Sequence, residues 1–291
     1  MDHKETDFSQ NIKSFKVQLE STGRASATIL AYVKDVEQLG EFVRKTGKIA
    51  ASTITSEDID NFKADLDSKH YTAKSISRKL NSIKAFFRFL KAQNLVEVNP
   101  AATVSHPKYD LKPPRVLSKL EYRALRDTCR SDVRISAVVE MLLQTGMRIS
   151  ELANLAISDI DLASMKIAIR AYESHTEREV PLNTAAKTAL EVYLNERPKG
   201  GAKNVFITKT GNPFLVRNIR SSIDRFFQLA GIKDAKVNDL RHTFIAQQLM
   251  AGTPLIYVSK LAGHKRLSTT EKYLEFISEK GNKEKLRLEE L

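Results

Sequence analysis

The sequence predicts a mainly α-helical chain in two domains, with a small antiparallel β-sheet confined to the second. Three observations carry this. Apolar residues recur at helical spacing through nearly all of the first hundred positions. A proline-bearing stretch, residues 99–118, then breaks the pattern. Beyond it, alternation of apolar and polar residues appears at 166–170 and again at 178–182, separated by a short polar stretch. The boundaries implied are a helical domain at 1–100, a linker at 101–116 and a second domain at 117–291. A length of 291 residues, more than one compact core usually holds, points the same way.

In the first domain, residues 7–19 and 27–46 carry helical spacing. Thr55 opens a capped helix through Thr-Ser-Glu-Asp, with Ile59, Phe62 and Leu66 following on one face. Residues 72–95 form the most informative helix. Ile76, Leu80, Ile83, Phe87 and Leu90 share one face, while Lys74, Arg78, Arg88 and Lys91 tend to the other. A solvated basic face and a face laid against a polyanion look alike at this level. Pro100, Pro107, Pro113 and Pro114 forbid a continuous helix through the linker, and Lys108, Lys112 and Arg115 keep it basic. Two domains on such a connection can close around an elongated partner as a C-shaped clamp.

In the second domain, Ser118 caps a helix running to about Cys129, and residues 134–145 form an apolar helix. The two alternating segments make a β-hairpin. Helices return at 185–195, 216–230, 239–251, 254–262 and 268–276.

Lysine and arginine outnumber aspartate and glutamate 47 to 35, a net charge of +12. That excess favours a polyanionic partner, because each neutralised phosphate releases condensed counterions. The single cysteine, Cys129, can make neither an internal disulfide nor an all-cysteine metal site. No apolar run approaches the roughly 18 residues that span a bilayer, and the segment MDHKETDFSQNIKSF lacks an apolar signal region. The expectation is a protein of the reducing cytoplasm with no membrane partner.

Three short stretches concentrate chemistry. In Thr145-Gly-Met-Arg148-Ile-Ser-Glu151-Leu, an apolar helix ends at glycine and a guanidinium follows at the start of the next helix. Glycine permits the tight turn, and a helix N-terminus adds partial positive charge. The second stretch is Asn238-Asp-Leu-Arg241-His242, and the third is Leu261-Ala-Gly-His264, with Tyr273 nine residues on. Singly, each residue has an ordinary alternative. Arg148 could be a surface arginine, Arg241 could pair with Asp239, His264 could be a loop residue and Tyr273 a core tyrosine.

In this order and spacing, the motifs resemble those of the tyrosine recombinase family, which includes phage integrases, chromosome-dimer resolvases and some transposon resolvases. The resemblance extends over nearly the whole chain. It implies a helical, SAM-like core-binding domain, a linker, and a catalytic domain from about Leu117. It also implies strand exchange through a tyrosine covalently joined to DNA. Arg148 and Arg241 match the family's paired arginines, each able to grip a phosphate bidentately. His264 matches the histidine that donates to the same phosphate, and Tyr273 matches the nucleophile. Such chemistry needs no ATP, metal or other cofactor, because the phosphodiester energy is kept in the protein–DNA bond. His242 and Glu151 read as supports, the carboxylate orienting cations.

Two positions depart from the family pattern. The residue three before Arg241, usually histidine, is Asn238, which can donate a hydrogen bond but cannot shuttle a proton at neutral pH. The lysine usually found in the hairpin turn aligns with Glu173. Lys166, Arg170, His175 and Arg178 are nearby substitutes. Lys166 is the preferred one, provided the hairpin register differs from that alignment, and His175 lies in the turn itself.

The resemblance further implies double-stranded DNA as partner, with a dimer on each site and a tetramer in the synapse. The tail, residues 278–291, is expected to pack on a neighbouring subunit. Lys74, Arg78, Arg88 and Lys91 are the candidate DNA contacts of the first domain. The two departures favour a mobile-element recombinase over a housekeeping one, and leave open a binding protein of the same fold without catalysis.

Overall fold

The structure, a computed structural model, describes residues 8–110, 113–172 and 176–280. The chain divides into two compact units, Met1–Leu111 and Lys112–Leu291.

The first unit is built from α1 (Phe8–Ser21), α2 (Ser26–Arg44), α3 (Ser56–Ser68) and α4 (Ala73–Ala92). Thr55 caps α3 reciprocally: its hydroxyl accepts from the Asp58 N–H, and the Asp58 carboxylate accepts from the Thr55 N–H at 2.7 Å. The apolar stripe of α4 faces inward with Ile76, Leu80, Ile83, Phe86, Phe87 and Leu90 all buried. Phe86 meets Phe8 and Phe15 edge-on, with ring centroids 5.4 Å apart in each case. Burying one such side chain contributes about 1.5–3 kcal/mol.

A carboxylate is sealed into this core. Asp35 of α2, 2% exposed, accepts from Arg78 at 2.5 and 2.9 Å, from Lys79 at 2.9 Å and from Ser82 at 2.8 Å. Two cations and a hydroxyl from α4 thus satisfy one carboxylate from α2, as a buried charge requires.

The proline-bearing stretch is held at both ends. Ala101 and Val104 are buried in the first unit's core, and His106 Nδ1 lies 3.0 Å from Ser77 Oγ. At the other end, buried Leu117 donates its N–H to Thr243 Oγ1 at 2.9 Å within the second unit. Proline ends the helix, but Ala101, Val104 and Leu117 still find core.

The second unit begins with α5 (Lys119–Cys129), α6 (Val133–Thr145) and α7 (Ile149–Asn154). Ser118 and Glu121 cap α5 reciprocally. Helix α6 buries its apolar residues from Ile135 to Leu143, while Arg134, Ser136, Glu140 and Gln144 stay partly exposed. The sheet follows, in the order β1 (Ile160–Asp161), β2 (Lys166–Ile169), β3 (Arg178–Pro181), antiparallel throughout. Ile167 pairs with Val180 and Ile169 with Arg178. The chain ends in α8 (Thr184–Glu196), α9 (Val216–Leu229), α10 (Val237–Met250), α11 (Leu255–Ala262) and α12 (Ser268–Lys280). The architecture is the predicted one, mainly helical with one small antiparallel sheet. Strand β1, two residues long, is too short to show a period.

Candidate active site

Helix α6 terminates where Gly146 turns left-handed at φ 61°, its N–H returning to the Leu142 carbonyl. A Cβ there would lie 2.2 Å from the Phe244 ring, so the position is closed to other residues on two counts. This sharp stop delivers Arg148 to the N-terminus of α7. Its backbone N–H donates to Glu151 Oε2 and its Nη1 to Glu151 Oε1, each at 2.8 Å.

The C-terminus of α11 gathers the remaining pieces. Gly263 adopts φ 64°, and the N–H groups of Gly263 and His264 close back on Lys260 and Ser259. The next carbonyls have no helical partner. Each is taken by a different arginine: Leu261 accepts from Arg178 Nε at 2.8 Å, Ala262 from Arg241 Nη2 at 2.5 Å, and Gly263 from Arg148 Nη2 at 2.8 Å. Arg241 Nη1 also donates to the Gly146 carbonyl, joining the two turns. Cations at a helix C-terminus are favoured by its dipole. The sequence alternative in which Arg241 pairs with Asp239 is not the arrangement found, since the Asp239 carboxylate caps the Lys236 N–H at 2.8 Å.

His264 leaves this turn with Nδ1 2.7 Å from the hydroxyl of buried Thr270. Burial, then the charges of Arg241, Arg148 and Arg178, push its pKa down to about 4, so the ring is neutral at pH 7. Burial and the Arg148 charge likewise lower Arg241 to about 9. Glu151 lies against Arg148 and Arg178. Burial opposes its ionisation, yet the Arg178 hydrogen bonds and the Arg148 backbone N–H outweigh that and hold it at about 2. Three guanidiniums against this one carboxylate leave a strongly electropositive spot, suited to an anion with several acceptor oxygens.

Tyr273 is 6% exposed, packed with Phe244, Val258 and Ala262. Burial pushes its phenol up to about 12, with Arg241 acting in the opposite direction. Its ring meets His242 edge-on at 5.9 Å. Asn238 is exposed one turn earlier on α10, its Nδ2 3.0 Å from His242 Nε2. Arg148, Arg241, His264, Tyr273 and Asn238 therefore converge on one region.

Lys166 does not. The register pairs it with Asp161 and Pro181, at the end of the hairpin away from residues 170–177. Its Nζ, half exposed, meets Glu179 at 2.8 Å. The register shift that would have carried it into the turn is absent: Ile167 pairs with Val180 and Ile169 with Arg178. Arg170 is held by Asp159 at 2.6 Å and by Ser158. Glu173 and His175 lie outside the described residues. Arg178 is the member of that set which enters the site, a role the sequence analysis did not assign. The available signal was its place in the alternation: an arginine where β3 turns a side chain to the core.

Lys74, Arg78, Arg88 and Lys91 all lie exposed on α4. Arg78 differs in being gripped by Asp35. Among the described residues, no group of three or more His, Cys, Asp or Glu is placed to hold a metal, and no helix is long and apolar enough to cross a membrane.

Residues 115–279 match the sequence profile of the Phage integrase family, and residues 12–94 match the phage integrase N-terminal SAM-like domain. The chain belongs to the phage integrase family. The tyrosine recombinase XerC of Roseiflexus castenholzii is 30% identical over 277 residues, covering 91% of this chain and 88% of that one. Its counterpart from Oceanobacillus iheyensis is 31% identical over 275 residues, 90% of each chain. A solved lambda integrase dimer bound to a core site is 16% identical, with a TM-score of 0.76, covering 98% of this chain and 99% of that one. At that identity the likeness concerns the fold. All three motif stretches of the recombinase fall inside the span 115–279.

Proposed function

We propose that this recombinase breaks and rejoins DNA at specific sites, with Tyr273 as the nucleophile. Tyr273 Oη bonds to phosphorus as the 5′-oxygen of the next nucleotide leaves, giving a 3′-phosphotyrosyl link. The phenol proton is lost and the leaving oxygen gains one. Arg148, Arg241 and His264 hold the nonbridging oxygens, where negative charge grows in the transition state. The supporting observation is the fastening of Arg148 and Arg241 to the backbone carbonyls that lead directly into His264. Asn238 is a hydrogen-bond donor to the same oxygens. With Lys166 turned away, His175 is the candidate proton donor from the hairpin turn.

The first unit is proposed to lay α4 against the DNA through Lys74, Arg78, Arg88 and Lys91. By likeness to the lambda integrase dimer, two copies occupy a site, and two such pairs form the synaptic tetramer. The tail, of which residues 281–291 lie outside the described residues, packs on a neighbouring copy, and the work is done in the cytoplasm. The XerC name of the relatives fits resolution of chromosome dimers, whereas Glu173 and Asn238 favour a mobile element. Those two departures also support a second reading, a binding protein without catalysis.

A nicked suicide duplex carrying the cognate site separates the readings. A covalent adduct with the wild type, lost in Tyr273→Phe, is the expected result. Tight binding with no adduct would leave the non-catalytic reading standing.

A further inference from the structure

Arg178 occupies a register position that should bury an apolar side chain. It pairs across β2 with Ile169, and its own side chain is 9% exposed. A hydrophobic residue there would avoid the desolvation penalty that a buried ion pair carries. The guanidinium is instead engaged on every side. Nη1 and Nη2 meet the two oxygens of Glu151 at 2.9 and 2.7 Å, and Nε meets the Leu261 carbonyl at 2.8 Å. The Gly263 Cα rests against it: a Cβ there would lie 2.8 Å from Nη1, and its three nearest neighbours would all be Arg178 atoms.

These contacts form two arms from one side chain. Through Glu151, Arg178 sets the carboxylate that grips both the backbone and the side chain of Arg148. Through Leu261 and Gly263, it sets the backbone that leads into His264. The geometry points to Arg178 as a positioning residue that ties hairpin strand β3 to the phosphate-gripping pair Arg148 and His264. This inference rests on the recombinase reading proposed above. Arg178 acts through Glu151 and the 261–263 backbone, and takes no proton itself.

The test is single-turnover cleavage of the nicked duplex by the full chain as wild type, Arg178→Ala and Arg178→Lys, with site affinity measured alongside. Displacement of a gripping group by about 1 Å can cost on the order of 100-fold in rate. Arg178→Ala should therefore cleave roughly 10- to 100-fold more slowly at a site affinity within about twofold of wild type. Added guanidinium ion should restore part of the rate. Arg178→Lys keeps the buried charge, and so the fold, but lacks the fork, and should remain slow. A second duplex with a bridging 5′-sulfur at the scissile phosphate has a leaving group that needs no proton. The deficit should persist on it, because the lost element is the grip on the phosphate.

A deficit that disappears on the sulfur duplex would assign Arg178 to leaving-group protonation and overturn the inference. So would wild-type cleavage by both variants. A wild type that forms no adduct overturns the recombinase reading itself, and this inference with it.

Discussion

Thr270 Oγ1 stands 2.7 Å from His264 Nδ1, and it does so from inside the protein, with Thr270 fully buried at the first turn of α12. With the hydroxyl donating to Nδ1, the ring proton sits on Nε2, the tautomer that can donate to a phosphate oxygen. Thr270→Val keeps the shape and removes the hydroxyl. Cleavage of the nicked duplex should fall by about 10-fold, since the ring loses its fixed tautomer and orientation, while site affinity stays near wild type. An unchanged cleavage rate would detach Thr270 from the chemistry.

His264 also predicts a pH dependence of stability. Its folded pKa of about 4 lies below the usual 6.5. The unfolded chain therefore takes up this proton first, and the associated stability is complete above pH 6.5 and drains away down to about pH 4. Thermal melts across that window should show a decline in wild type that is shallower in His264→Asn. Parallel slopes would contradict the assignment.

Glu151 carries the same sign at lower pH. Its pKa of about 2, against a usual 4.5, corresponds to about 3 kcal/mol that is present above pH 4.5 and lost as the pH falls through 2. Glu151→Gln at pH 7 leaves Arg148 and Arg178 beside a neutral amide, a change expected to cost about 3–5 kcal/mol in urea unfolding. The deficit should shrink as both proteins are taken toward pH 2. A constant deficit would point to lost packing instead of lost charge.

Gly146→Ala meets two obstacles, the left-handed φ of 61° and the Phe244 ring. Together they should cost about 2–4 kcal/mol. Adding Phe244→Leu should recover the overlap part and leave the backbone part, so the double variant is expected between the single variant and wild type in urea midpoint. Full recovery would show that the backbone conformation carries no strain.

In the first unit, Asp35→Ala strands Lys79, whose side chain is 8% exposed, and should destabilise by about 3–5 kcal/mol. Arg78 would lose its two-point anchor, so affinity for the site should fall even at temperatures where the variant is folded. Asp35→Asn, which keeps an acceptor, should lie between. Equal DNA affinity in all three would remove Arg78 from the DNA contacts.

Helices such as α4 and α9 were legible because they carry their own signal, an inward stripe at 3.6-residue spacing, and α3 and α5 add a hydroxyl that caps the first turn. The hairpin showed in its alternation. Arg148, Arg241, His264 and Tyr273 were singled out by motifs that are local in sequence. What spacing could not reveal were ties between distant residues. Arg78 meets Asp35 across 43 positions, and Arg178 meets Glu151 across 27. An exposed basic stripe and a cation spent on a buried carboxylate read identically in one dimension. Whether Lys166 could approach the turn depended on the hairpin register, which alternation alone does not fix.

A long cationic side chain ordinarily wanders among many rotamers, and freezing one costs roughly 2 kcal/mol. Arg148, Arg178 and Arg241 are already frozen against the carbonyls of 261–263. That entropy is surrendered when the chain folds, at a moment when packing of the surrounding helices can absorb it. On the reading proposed above, an arriving phosphodiester meets Arg148 and Arg241 with no configurational search left to make, so its encounter is governed by the fit of its own oxygens.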